Sequence, residues 1–207
     1  GLVFSGEMDR AACIVGWAQA HAGEYGGAAE LTVVDGYSAG AVAAAWVGLG
    51  LADDTICEYP ITRLPIGLVV GENQVLFHHE RWDPPFANEG PGVSATLDGL
   101  INPDQWTVSP DLRVALWSAE NPFGEVRAVE NPPRPESWIW LRNAASPCVE
   151  DLTAVGAFED GQIDWSDNAR LLERRMVESG IDVRNETYAI SHRYTPEVYD
   201  LIFSILP

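Results

Sequence analysis

Apolar and polar positions follow two rhythms along this chain. In residues 7–22, Met8, Ala11, Ala12, Val15, Ala18 and Ala22 recur on one helical face, and Gly23 with Gly26-Gly27 ends the pattern. Leu31-Thr32-Val33-Val34 is a short run of apolar and β-branched residues, which predicts a buried strand. Ala41-Val42-Ala43-Ala44-Ala45-Trp46-Val47 is rich in helix formers with no breaker before Gly48, and predicts a helix. Leu64–Val70, Leu152–Phe158 and Asp182–Tyr188 read as further strands. A helix from about Ser166 to Ser179, closed by Gly180, separates the last two. A final helix starts at Pro196 and carries Val198, Tyr199, Leu201, Ile202 and Ile205. Strands alternating with helices predict an α/β protein: a mainly parallel sheet flanked by helices.

The stretch 72–150 breaks the rhythm. It holds most of the prolines and Trp82, Trp106, Trp117, Trp138 and Trp140, with helical pieces expected near 94–101 and 111–119. A proline-rich, aromatic-rich insertion between sheet strands reads as a cap or lid over the strand ends. Its tryptophans would pack on the sheet, line a pocket, or do both.

Composition narrows the function. At 207 residues and 46% hydrophobic, the chain can bury the core of one domain. No apolar run reaches the length of a membrane span, and no leader peptide is visible ahead of the first helix. Acidic residues outnumber basic ones 31 to 12, and every basic residue is arginine, so a nucleic-acid backbone is excluded as a partner. Cys13, Cys57 and Cys148 form neither a zinc motif nor a disulfide framework, with a Cys57–Cys148 bridge left open. Asn185-Glu186-Thr187 has the form of a glycosylation sequon, but it falls in an expected strand.

The candidate chemistry begins at Gly36-Tyr37-Ser38-Ala39-Gly40, which joins the first expected strand to the small-residue helix. Strand, sharp turn and helix are the context of a Gly-x-Ser-x-Gly nucleophile elbow, so Ser38 is the candidate nucleophile. Gly36 and Gly40 fit the same picture, because in so tight a turn a Cβ on either side of the serine would clash. A serine hydroxyl attacks only when a base takes its proton and a carboxylate orients that base. On a parallel sheet these groups follow in the order serine, acid, histidine, each just past a strand end. Asp160 lies in Glu159-Asp160-Gly161-Gln162 after Leu152–Phe158, and His192 lies in Ile190-Ser191-His192-Arg193 after Tyr188. All three would then project from the carboxyl edge of the sheet, where ligands bind in open α/β sheets. Glu159 and Asp164 compete with Asp160, while Asp167 suits a helix cap. His21 reads as a surface charge at a helix C-terminus. His78-His79-Glu80 lacks a second ligand cluster, so no metal and no cofactor is expected.

On these residues the chain resembles an α/β-hydrolase of the bacterial carboxylesterase/lipase type, over most of 7–50 and 150–207. The passage from His21-Ala22-Gly23 through Val33-Val34-Asp35-Gly36-Tyr37-Ser38-Ala39-Gly40 is similar to that family's helix-to-elbow segment, with Tyr37 at the variable place. Glu159-Asp160-Gly161-Gln162-Ile163-Asp164 is similar to its acid turn, with Asp164 in place of the usual proline. Ser191-His192 matches the histidine loop and Pro196–Leu206 the closing helix. The resemblance implies hydrolysis of a small-molecule carboxylic ester through an acyl-enzyme, with the Ala39 amide as an oxyanion donor. A peptidase or amidase of the same fold, or a non-catalytic binding domain of that fold, are the alternatives. One departure stands out: no His-Gly-Gly oxyanion loop precedes Ser38. The family's early strands are also unaccounted for, so the expectation is an N-terminally incomplete sheet with one open edge. A missing segment or a second chain would complete it, and the 207-residue chain alone would be weakly active or inactive.

Overall fold

The computed structural model describes residues 4–37, 39–71, 99–100, 102–119, 165–188 and 194–206. Helix α1 (Phe4–His21) leads through the short 3-10 turns Ala22–Tyr25 and Ala29–Leu31 into strand β1 (Val33–Tyr37). Helix α2 (Ala39–Gly48) and strand β2 (Gly67–Gly71) follow, then β3 (Arg113–Ala119), α3 (Trp165–Glu178), β4 (Asp182–Tyr188) and α4 (Pro196–Ser204). The four strands form one all-parallel sheet in the order β1-β2-β3-β4. With helices on both faces, this is an α/β architecture, as the alternation of elements predicts.

Period-two alternation along the strands sorts side chains to two cores. Leu68, Val70, Val114 and Leu116 point to one face and pack against Val42, Ala45 and Trp46 of α2 and Leu172 and Met176 of α3. Val69, Ala115 and Trp117 point to the other and pack against Val198, Leu201 and Ile205 of α4. β2 is therefore buried along its whole length, as a strand covered on both faces must be. β1 lies at the sheet edge, with β2 its one strand partner among the described residues.

The segment 111–119, expected to be helical, is instead β3. Its Val-Ala-Leu-Trp run is buried on both faces, and such a run carries no period that separates strand from buried helix. β3 also falls inside the stretch 72–150 assigned to a cap, so that stretch supplies a sheet strand. Leu152–Phe158 lies outside the described residues, and β3 pairs with one edge of β4 along its full length. Asn185 of the sequon sits within β4, half-buried, and its side-chain amide donates to Glu173 Oε2 at 2.8 Å. No helix among the described residues is long and apolar enough to cross a membrane.

α1 is held to the sheet's approach by polar and covalent ties. The buried Gln19 donates to Thr32 Oγ1 and to the Arg63 carbonyl, and its own oxygen accepts from the Thr62 and Arg63 amides. A disulfide joins Cys13 of α1 to Cys57, which corrects the reading that the cysteines form no disulfide framework and closes the Cys57–Cys148 option left open: the partner of Cys57 is Cys13. The pairing needed coordinates, because spacing along the chain does not report which two thiols meet. The bridge closes a loop with a separation of 44 residues, for which loss of chain entropy in the unfolded state is worth about 2–5 kcal/mol. Cys57→Ser should therefore lower the urea midpoint. In Cys148→Ser a thiol reagent should count no free thiol before reduction and two after it. Equal midpoints with and without reductant would contradict the bridge's role.

Candidate functional site

Ser38, Asp160 and His192 lie outside the described residues, as do Glu159, Asp164, His78 and His79. What the structure describes is the frame on either side of them. β1 ends at Tyr37 and α2 begins at Ala39, so Ser38 is the single residue between strand and helix. The Ala39 amide belongs to the first turn of α2, where backbone N–H groups have no acceptor within the helix and the macrodipole is positive.

The two glycines of the pentapeptide differ. A Cβ on Gly36 would run into the carbonyl oxygen of Gly40 and come within 2.8 Å of the Ala44 Cβ, so close approach of strand and helix does require glycine there. A Cβ on Gly40 would meet nothing within 4 Å, and the residue is exposed. The expectation that both glycines avoid a clash is corrected for Gly40: at the first turn of α2 its Cα faces outward.

On the α4 face, near the carboxyl ends of the strands, four aromatic side chains meet. Tyr194 stands edge-on to Tyr37 with ring centroids 4.9 Å apart and to Trp117 at 5.6 Å, and stacks on Tyr199 at 5.7 Å. Trp117 is fully buried, and its indole N–H has no acceptor among the described residues. The Tyr194 hydroxyl reaches both carboxylate oxygens of Asp35, at 2.9 and 3.0 Å. Burial pushes the Asp35 carboxyl above its ordinary value, and the Tyr194 hydrogen bond takes back part of that rise. The Tyr194 hydroxyl is itself pushed well up, first by burial and then by the Asp35 charge and hydrogen bond. Sequence reasoning missed this pair. Asp35 falls just past the expected strand Leu31–Val34, so no local pattern marks it as part of the sheet or as a partner of Tyr194.

The raised Asp35 value has a defined sign. Its contribution to folding is complete below the ordinary carboxylate value and is lost as pH rises through the raised one. Asp35→Asn keeps an acceptor for Tyr194 but removes the ionisation. Between about pH 3 and pH 7, the melting temperature of the native protein should fall relative to Asp35→Asn as pH rises. A constant difference across that range would show that the carboxyl is not shifted.

His21 ends α1 as expected, but it is packed: Nδ1 lies 2.8 Å from the Trp17 carbonyl oxygen, and its ring stacks on Trp17 at 4.7 Å. Among the described residues, no group of three or more His, Cys, Asp or Glu side chains could hold a metal ion. No family model, curated protein or solved structure matches the chain. The parallel α/β sheet is therefore established from its own coordinates.

Proposed function

We propose that this chain is an α/β-hydrolase-type serine esterase. The observation that carries the proposal is the junction of β1 and α2, with one residue, Ser38, between strand and helix and with Gly36 packed against Gly40. That geometry suits an exposed nucleophile beside unsatisfied helix amides. In the proposed cycle Ser38 attacks the ester carbonyl while His192 takes its proton and passes it to the leaving alcohol. The Ala39 amide donates to the oxyanion. Water, deprotonated by His192, then releases the acid and restores the serine. Asp160 orients the imidazole. The substrate is a small-molecule ester, with Trp82, Trp138 and Trp140 shaping its pocket.

A second assignment of the acid draws support from the sheet. β3 pairs with β4, and the residue that follows β3 in the chain is Glu120. The rule that each group follows a strand end makes Glu120 a rival to Asp160. Glu120→Gln and Asp160→Asn separate the two: the variant that loses more turnover carries the acid. The Cys13–Cys57 bridge suits folding in an oxidising compartment. A panel of p-nitrophenyl esters against aminoacyl anilides tests the reaction class. Turnover of esters alone is expected, and anilide cleavage at comparable rates would make the chain an amidase or peptidase.

A further inference from the structure

We propose that a cavity at the amino-terminal ends of β3 and β4 binds a basic α-amino acid. The cavity encloses about 330 Å³, a size suited to a small molecule. It lies between residues 108–112, which lead into β3, and residues 179–181, which lead into β4. In an all-parallel sheet this rim is opposite the β1–α2 junction, so the site needs neither Ser38 nor the esterase reading. Local hydrogen bonds set both walls. The Leu112 amide donates to the Ser109 carbonyl at 3.1 Å and the Asp111 amide to Ser109 Oγ at 3.2 Å, closing a turn about Pro110. Across the cavity α3 ends in a Schellman turn, in which the Ile181 amide donates to the Met176 carbonyl at 3.0 Å and Gly180 takes a φ of 79°. Walls fixed in this way lower the ordering cost of binding.

The lining offers three kinds of contact, and together they select the ligand. Leu112 belongs to the core and Val108 and Ile181 pack against it, so one side of the cavity is apolar and suits a short methylene chain. Arg113 and Ser109 offer donors, because the Ser109 oxygen accepts from Asp111 and keeps its own proton for a ligand oxygen. A guanidinium with a hydroxyl suits a carboxylate. Asp111, Asp182 and Ser179 offer acceptors, the Ser179 proton being committed to the Arg175 carbonyl at 2.8 Å. Arg113 and Asp182 are register partners on neighbouring strands, yet neither they nor Asp111 form an ion pair among the described residues. Their charges are therefore available to a ligand. Two aspartates and one arginine give the lining a formal charge of −1, which calls for a ligand of the opposite sign. One carboxylate and two ammonium groups on an aliphatic chain, as in lysine, meet all three demands.

The test follows backbone amide chemical shifts of the full chain at about 0.15 M salt during titration with L-lysine, with cadaverine, which lacks the carboxylate, and with L-norleucine, which lacks the second ammonium. Lysine should shift the amides of Asp111 and Gly180 with a dissociation constant of about 1 mM or tighter, and each analogue should bind about tenfold more weakly. Arg113→Ala should weaken lysine about tenfold and leave cadaverine unchanged, whereas Asp182→Asn should weaken both. Arg113 and Asp182 are exposed, so both variants should keep the native melting temperature. Diffuse attraction of cations to an acidic chain gives the opposite pattern: cadaverine would bind better than lysine, and Arg113→Ala would strengthen both. That pattern, shifts confined to other parts of the chain, or lysine binding weaker than about 1 mM would overturn the proposal. Labelling of Ser38 by a fluorophosphonate is a separate readout, so this site and the esterase reading can fail independently.

Discussion

Ser38→Ala should reduce the chain's ester turnover to the rate of buffer alone. The size of the loss follows from the proposed chemistry. Without the hydroxyl no acyl-enzyme forms, and the histidine and acid have nothing to activate, so members of such a unit fail together. His192→Ala should fall to the same floor, and the double variant no further. The absolute starting rate matters for the measurement. The Ala39 amide is the one oxyanion donor assigned among the described residues, and a second such contact is worth about a hundredfold to a thousandfold. A low native rate with a complete loss in Ser38→Ala is thus the expected pattern. Residual turnover in Ser38→Ala equal to that of the native chain would mean that the hydrolysis has another origin.

Gly36→Ala should be strongly damaging to folding, and Gly40→Ala should be harmless to it. The added Cβ at Gly36 meets the backbone carbonyl of Gly40, which cannot yield without breaking the first turn of α2, and it also crowds Ala44. Overpacking against backbone costs about 1–3 kcal/mol or more, and here it acts at the strand-to-helix junction itself. At Gly40 the methyl meets open space, and alanine is the better helix former by up to about 1 kcal/mol. Urea unfolding of the two variants should move in opposite directions from the native midpoint. Equal tolerance at both positions would contradict the close approach of β1 and α2.

Particular segments show why the chain's pattern was legible in some places and silent in others. Asp182–Tyr188 alternates partly buried and exposed residues, and its expected bounds are those of β4. α3 and α4 were readable because Gly180 and Pro196 punctuate them. Arg113–Ala119 was misread as helix because a strand covered on both faces shows no alternation, and only its partners β2 and β4 reveal it. Val33–Tyr37 extends past the apolar run that announced it, through Asp35 and Gly36, because pairing with β2 rather than hydrophobicity sets its length. The junction around Ser38 was legible as a motif, but the unequal demands on Gly36 and Gly40 were not, since those depend on where α2 turns its first residues. The Asp35–Tyr194 bond and the Cys13–Cys57 bridge join residues far apart in the chain, and nothing local encodes such pairings.

The central claim is that Ser38, at the β1–α2 junction, is a nucleophile activated by His192. Its most direct test is to treat the native chain and His192→Ala with a fluorophosphonate and map the adduct by peptide mass spectrometry. The account predicts an adduct on the peptide containing Ser38 in the native chain and its loss in His192→Ala. An adduct on a different serine, or labelling of Ser38 that persists undiminished without the imidazole, would contradict it.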